Sequence, residues 1–572
     1  MNQRSASGRG RITLLLWLIP LAFLGVFYFY PLARILGVSF ARAQGGYVDL
    51  FRESITSPTV KRAFSFTLWQ ALLSTILTLL VGLPGAYLFG RYQFRAKTFL
   101  RAITGIPFVL PTLVVAAAFN ALLGPRGWVN LAVMNFLNLE TPPIQFINTF
   151  GAILVAHVFY NTTIVLRLVG DFWSHLDPRL EQAAQVLGAN RRKAFRHVTL
   201  PLLAPAILAA ALLVFIFDFT SFGVILVLGG PRFATLEVEI YYQTISLFNL
   251  PLAAVLSILQ LGCTLGLTIA YAFLSARLSR PLSLQPQKST QKRLSTWRSR
   301  LLAITLLILL FTLLSAPLLA LAARSFVLVN APRGGPPESV RLTLDFYREL
   351  AINRRDSLFF VPPTTAILVS LAYAGATVLL ALTLGLPAAW ALSRDHDSRL
   401  GRVLDSILML PLGTSAVTLG LGFIIAMNRP PLNLLESPVL IAFAHTLVAF
   451  PFVVRSLTPA LRSISPRLRQ AASVMGASPQ QVFRYIDIPL VGRALFVSAI
   501  FAFSISLGEF GATALVTRPE YPTIPVMIHR FISQPGALNY GQAMALSTIL
   551  MLITAAGMIT IERFRIADIG EF

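Results

Sequence analysis

Apolar runs long enough to cross a lipid bilayer recur along this chain, and they restrict its fold more than any other feature. A membrane helix needs about 20 consecutive, mainly apolar residues. Candidate runs fall at 12–40, 63–90, 103–123, 148–169, 201–228, 251–275, 301–323, 362–392, 404–427, 438–457, 489–516 and 541–561. These twelve predict an all-α polytopic membrane protein. Charged residues make up only 12% of the sequence against 56% hydrophobic ones, well short of the roughly 25% charged typical of soluble domains. The first run, preceded by Arg4, Arg9 and Arg11, is long for the apolar core of a cleaved leader and is read as a retained span. The lone Cys263 excludes an intramolecular disulfide and reads as a packing residue.

The net charge of +24 would suggest nucleic-acid binding in a soluble protein. Here the basic residues lie between apolar runs, where they orient the chain and meet anionic lipid headgroups. With the N-terminus inside, about two-thirds of the Lys and Arg fall on the inner side, so both termini are expected in the cytoplasm.

A Ser-, Gln- and basic-rich stretch at 276–300 reads as a cytoplasmic linker, and an internal repeat flanks it. Leu180–Leu202 aligns with Leu468–Leu490 at an offset of 288, with eleven of 23 positions identical. The same offset pairs His157 with His445, Arg167 with Arg455, and Phe222-Gly223 with Phe510-Gly511. Upstream, Gly82-Leu83-Pro84-x-Ala86 pairs with Gly385-Leu386-Pro387-x-Ala389. Two six-helix units in parallel orientation follow, related by a pseudo-two-fold axis along the membrane normal. The expected boundaries are an N-terminal span and external loop at 1–62, a first unit at 63–275, the linker at 276–300, a seventh span and external loop at 301–361, and a second unit at 362–562.

Each copy carries a polar loop patterned as a helical hairpin. Asp177-Pro178 and Ser465-Pro466 place a capping residue before a proline. Ala183-Ala184 and Ala471-Ala472 form a small apolar face, and Gly188 and Gly476 stop the helix. Ser478-Pro479 with Gln481 predicts a capping box at the next helix. Pro201 and Pro489 are read as the entry to the following span. A self-contained hairpin would look the same in one copy; two copies at equivalent positions favour a two-fold partner.

Both loops resemble the EAA loop of type I ABC importer permeases. Glu181-Gln182-Ala183-Ala184, Gly188-Ala189 and Leu200-Pro201 match that pattern. So do Gln470-Ala471-Ala472, Gly476-Ala477 and Ile488-Pro489, with Arg469 departing from it where the first copy has Glu181. Fusion of two halves is similar to the ferric-iron and thiamine branch of that family. The resemblance implies two copies of a cytoplasmic ATPase gripping the loops, an extracytoplasmic binding protein delivering a small solute, and ATP–Mg used by the ATPase rather than by this chain. Iron(III) is preferred to thiamine as cargo. The absence of a Gly-Lys dipeptide excludes a P-loop, and the six histidines show no metal-site spacing, so no catalytic residue and no metal or cofactor site is expected. Acids in spans mark functional cavities, which makes Asp218 and Glu509, with Thr220, Ser221 and Ser506, candidates for a translocation path; a structural hydrogen bond is the alternative for each, and for His157 and His445. An ion-driven secondary transporter built from parallel repeats is the competing reading, and a non-transporting assembly factor a further one.

Overall fold

The computed structural model describes residues 16–41, 56–95, 97–278, 290–330, 339–352, 361–394, 398–428, 430 and 432–564. Arg4, Arg9, Arg11, residues 279–289 of the expected linker, and Arg565 lie outside the described residues. So do stretches 42–55, 331–338 and 353–360 of the expected external loops.

The first half contains α1 (Leu16–Ser39) and α2 (Pro58–Arg91), then α3 (Lys97–Val109) and α4 (Thr112–Leu123). After α5 (Phe150–His175) come the short α6 (Pro178–Val186), α7 (Arg191–Phe219) and α8 (Leu250–Leu278). The second half contains α9 (Trp297–Arg324), α10 (Pro363–Arg394), α11 (Arg399–Met409) and α12 (Ala416–Ala426). It continues with α13 (Val439–Arg462), α14 (Pro466–Val474), α15 (Pro479–Gly508) and α16 (Ala537–Phe564). Among the described residues, eleven helical stretches are long and apolar enough to cross a bilayer. The α11–α12 segment, bent by 94°, makes a twelfth if counted as one broken span.

The repeat is visible in packing as well as order. In the first half α2 lies along α5, and in the second α10 lies along α13. A Cβ at Gly82 would sit 2.7 Å from Val165 Cβ, and one at Gly385 would sit 2.6 Å from Val453 Cγ1. Val165 and Val453 are themselves counterparts at the 288 offset. The duplicated glycines therefore allow the same close helix approach in each half, the usual role of small residues between membrane helices.

Four expected spans are interrupted. Helix breaks fall between α3 and α4, between α7 and Gly223–Leu228, between α11 and α12, and between α15 and Thr513–Val516. Apolar composition continues through each break because the backbone there is buried in protein, where side chains replace the missing helical hydrogen bonds. Gln70 Nε2 donates to the carbonyl of Asp218 (2.7 Å), and Glu509 accepts from the amides of Ala512 and Thr513 (2.8 and 3.1 Å).

Pro201 and Pro489 lie inside continuing helices rather than at their starts. A single wide turn precedes each, at Phe195–Thr199 and Phe483–Asp487. Proline has no N–H to return to the preceding turn, and a π-type turn lets the helix run through that gap.

The two hairpins share one face of the bundle, and α16 shows this. Near its C-terminal end Glu562 pairs with Arg167 of α5 (3.4 Å), a few turns before α6. Phe564 meets Phe496 of α15 edge-on, with centroids 5.0 Å apart. At the same face Tyr92–Gln93 pairs in parallel with Lys292–Arg293, and Thr290 donates to the carbonyl of Ser174, so the end of the linker is tied to the first half.

Candidate functional site: paired hairpins and buried turns

The first hairpin begins where Asp177 accepts from the amide of Arg179 (2.8 Å), opening α6. Ser465 holds the equivalent position before α14 without a side-chain cap. Both helices end alike. The amides of Leu187, Gly188 and Ala189 reach the carbonyls of Ala183, Gln185 and Ala184; those of Met475, Gly476 and Ala477 reach Ala471, Ser473 and Ala472. Gly188 and Gly476 stand at φ +92° and +86°, a conformation glycine adopts freely. The expected capping box is present, with Ser478 N donating to Gln481 Oε1 (2.8 Å) and Gln481 N to Ser478 Oγ (3.3 Å). Asn190 caps the first-copy equivalent through Lys193 N (2.8 Å).

No residue of α6 or α14 is buried. Gln182, Ala183, Gln470 and Ala471 are exposed, while Ala184, Ala189, Ala472 and Ala477 are half-buried. At the tips, Val186 and Leu187 are 87% and 88% exposed, and Val474 and Met475 are both 88% exposed. Two equivalent apolar tips on one face form a surface with two-fold character, which is what a two-fold partner would cover.

The roots of the hairpins are pinned by ion pairs of opposite polarity. Glu181 meets Arg91 at the end of α2 (3.2 Å), and Thr199 Oγ1 donates to the same carboxylate (3.3 Å). In the second copy Arg469 Nε donates to Asp487 (2.8 Å), and Trp390 Nε1 donates to the other carboxylate oxygen (3.3 Å). Asp487 occupies the position of Thr199 in the repeat. The substitution of Arg469 for the expected glutamate therefore reverses an internal contact and keeps it.

The proposed path acids lie at the C-terminal ends of α7 and α15, Asp218 in the last turn of α7 and Glu509 just after α15. Asp218 is fully buried; its Oδ1 accepts from Asn161 Nδ2 (2.7 Å) and lies 3.4 Å from His157 Nδ1. Its Oδ2 is buried with no hydrogen-bond partner among the described residues. His157 also meets Ser74 (3.0 Å) and Ser221 (2.8 Å). Glu509, 7% exposed, is bound by its own turn and by His445 (3.3 Å), which also meets Ser506 (2.7 Å) and Thr513 (2.8 Å). Ser506 donates to Thr377 (3.2 Å), the counterpart of Ser74. Each half thus holds a histidine–acid–hydroxyl knot inside its own helices. Thr220 and Ser221 are half-buried; Thr220 donates to the carbonyl of Ile216 (3.0 Å).

Glu237 escaped the sequence reading. Its side chain, in the short helix Leu236–Tyr241, is buried and accepts from Gln260 (2.5 Å) and from Ser415 (2.6 Å). Ser415 also caps α12 through the amides of Val417 and Thr418 (3.1 and 3.2 Å). Glu237 therefore ties the first half to the broken span of the second. Its signal was a pair of acids, Glu237 and Glu239, set among apolar residues, although the partner of Glu237 lies 178 residues away. Among the described residues no group of three or more His, Cys, Asp or Glu is placed to hold a metal ion.

The family described as "Binding-protein-dependent transport system inner membrane component" matches residues 82–280. The thiamine transport system permease protein ThiP of Escherichia coli (strain K12) is 26% identical over 542 residues, spanning 91% of this chain and 93% of that protein. ThiP of Brucella abortus (strain 2308) is 27% identical over 506 residues, 88% of this chain and 87% of its own length. The putative 2-aminoethylphosphonate transport system permease protein PhnU of Salmonella typhi is 27% identical over 265 residues, 46% of this chain and 92% of PhnU. Among solved structures, a chain from a bacterial ABC transporter involved in import of the acidic polysaccharide alginate aligns with a TM-score of 0.40 at 19% identity, covering 49% of this chain and 100% of that one.

Proposed function

We propose that this chain, a type I ABC importer permease carrying both halves of the pore in one polypeptide, imports thiamine across the bacterial inner membrane. It lies in that membrane as a multi-pass subunit and works with an ATPase and a binding protein, as such permeases do. Two copies of the ATPase, using ATP–Mg, would each grip one hairpin from the cytoplasm, where both termini also lie. An extracytoplasmic binding protein would deliver the solute to the opposite face.

The observation that carries this reading is the pair of exposed apolar hairpin tips on a single face. A nucleotide-driven dimer closing on both tips gives the two-state bias that alternating access requires. Thiamine is preferred as cargo because relatives alike over nearly the whole chain bear that name. This reverses the order expected from the sequence, which put iron(III) first. Those acids, with Ser221 and Ser506, are read here as holding the turns that flank the path.

Reconstitution of this chain with its ATPase and binding protein in proteoliposomes tests the function. Labelled thiamine should accumulate only with ATP and the binding protein present. Accumulation that persists without ATP and collapses with the proton gradient would instead show a secondary transporter.

A further inference from the structure

Residues equivalent in the two halves of a pseudo-two-fold assembly touch each other only near the axis. Phe222 and Phe510 are such a pair, and their rings stack with centroids 5.4 Å apart and planes at 20°. Their next ring neighbours are also equivalent: Phe222 lies 5.4 Å from Tyr241, and Phe510 lies 5.5 Å from His529. The offset of 288 that relates Phe222 to Phe510 also relates Tyr241 to His529. A run of four rings, Tyr241–Phe222–Phe510–His529, thus crosses the axis between the halves.

Four further observations bear on what this run does. Phe222 and Phe510 are 6% and 3% exposed, so nothing passes between them in this state. A Cβ on Gly223 would lie 2.3 Å from Thr112 Oγ1, so the glycine after Phe222 lets the start of α4 pack directly beneath the stack. Nδ1 of His529 is buried with no hydrogen-bond partner among the described residues, an unmet polar group at one end of the ring run. Phe222 follows the 20 residues of Leu200–Phe219, a rise of roughly 30 Å, which puts the closure far from the hairpins.

Aromatic faces attract cations, most strongly away from water, and flat rings stack on them.

We infer that the Phe222–Phe510 stack is both the closed constriction of the path and, once the halves part, the binding platform for a flat aromatic cation, with Tyr241 and His529 as its flanks. This rests on the reading of thiamine as cargo, a molecule with two aromatic rings and a permanent positive charge.

The test uses the full chain assembled with its ATPase and binding protein in proteoliposomes. Phe222→Leu and Phe510→Leu keep apolar bulk and remove the ring face; Phe222→Tyr and Phe510→Tyr keep the ring. The Leu variants should lower thiamine uptake at least tenfold while stimulation of ATP hydrolysis by the binding protein stays within twofold of wild type. The Tyr variants should retain most of the uptake. Leu variants that transport thiamine within twofold of wild type would overturn the inference and leave the cargo assignment standing. Failure of the wild-type complex to accumulate thiamine would instead overturn the cargo assignment on which the inference rests.

Discussion

Residues at the hairpin roots show how a repeat can diverge and keep its mechanics. Glu181 pairs with Arg91 in one half, and Arg469 pairs with Asp487 in the other. The two contacts differ in burial: the Asp487 side chain is fully buried, whereas that of Glu181 is 25% exposed. Replacing Arg469 by Ala would strand a buried carboxylate and should destabilise the second hairpin by about 2–3 kcal/mol. Glu181→Ala should weaken the first by about 1 kcal/mol or less, as for half-exposed pairs. Hydrogen exchange of the hairpin amides would report both, and the double charge exchange Arg469→Glu with Asp487→Arg should recover part of the loss. Gly188→Ala and Gly476→Ala should each lose roughly 1–2 kcal/mol of local stability, because alanine resists positive φ even where space is open. The same amides would show faster exchange. The departure at Arg469 was visible in sequence, but its partner was not. Asp487 lies 18 residues further on, where the first copy carries an uncharged threonine.

The helical hairpins were readable as elements because their signals are local. A capping residue, a proline at the helix start and a glycine at its end act within a turn or two; α6 and α14 formed at the expected places, although Ser465 makes no side-chain cap. Two apolar side chains at each exposed tip contribute about 1.5–3 kcal/mol apiece when covered. Leu187→Glu together with Met475→Glu should therefore lower affinity for the ATPase at least ~100-fold while leaving the permease folded. Co-purification and the permease's own melting profile would check this. The breaks inside spans were not readable by the same method. Hydropathy continues through Leu110–Pro111, Thr220–Phe222 and Gly413–Ser415, and the groups that take over the backbone hydrogen bonds come from distant segments. The Gln70 contact to the Asp218 carbonyl spans 148 residues, and Tyr160 Oη reaches the Leu110 carbonyl across 50. Substituting Glu237 by Gln keeps an acceptor for Ser415 and should slow uptake only a few-fold. Substituting it by Leu removes the tie between the halves and should abolish uptake in the reconstituted complex.

At the scale of the whole molecule, two copies of one unit meet across an axis marked by Phe222 and Phe510, while both hairpins project from a single face. Parallel repetition was legible from the 288-residue offset, because helices in equivalent positions need the same glycines, histidines and caps. The additional helices α1 and α9, which precede the repeated cores, were found from their hydropathy alone. The central claim is mechanical. A motor that closes on both tips draws the hairpins together and separates the stacked rings at the far end of α7 and α15. Spin labels at Leu187 and Met475 in the assembled complex, with a second labelled pair at Arg232 and Glu520, exposed and equivalent positions shortly after the stacked rings, measure both distances by pulsed electron resonance. The account predicts that trapped ATP shortens the first distance and lengthens the second. Distances unchanged by nucleotide, or rings that part without any movement of the hairpins, would contradict it.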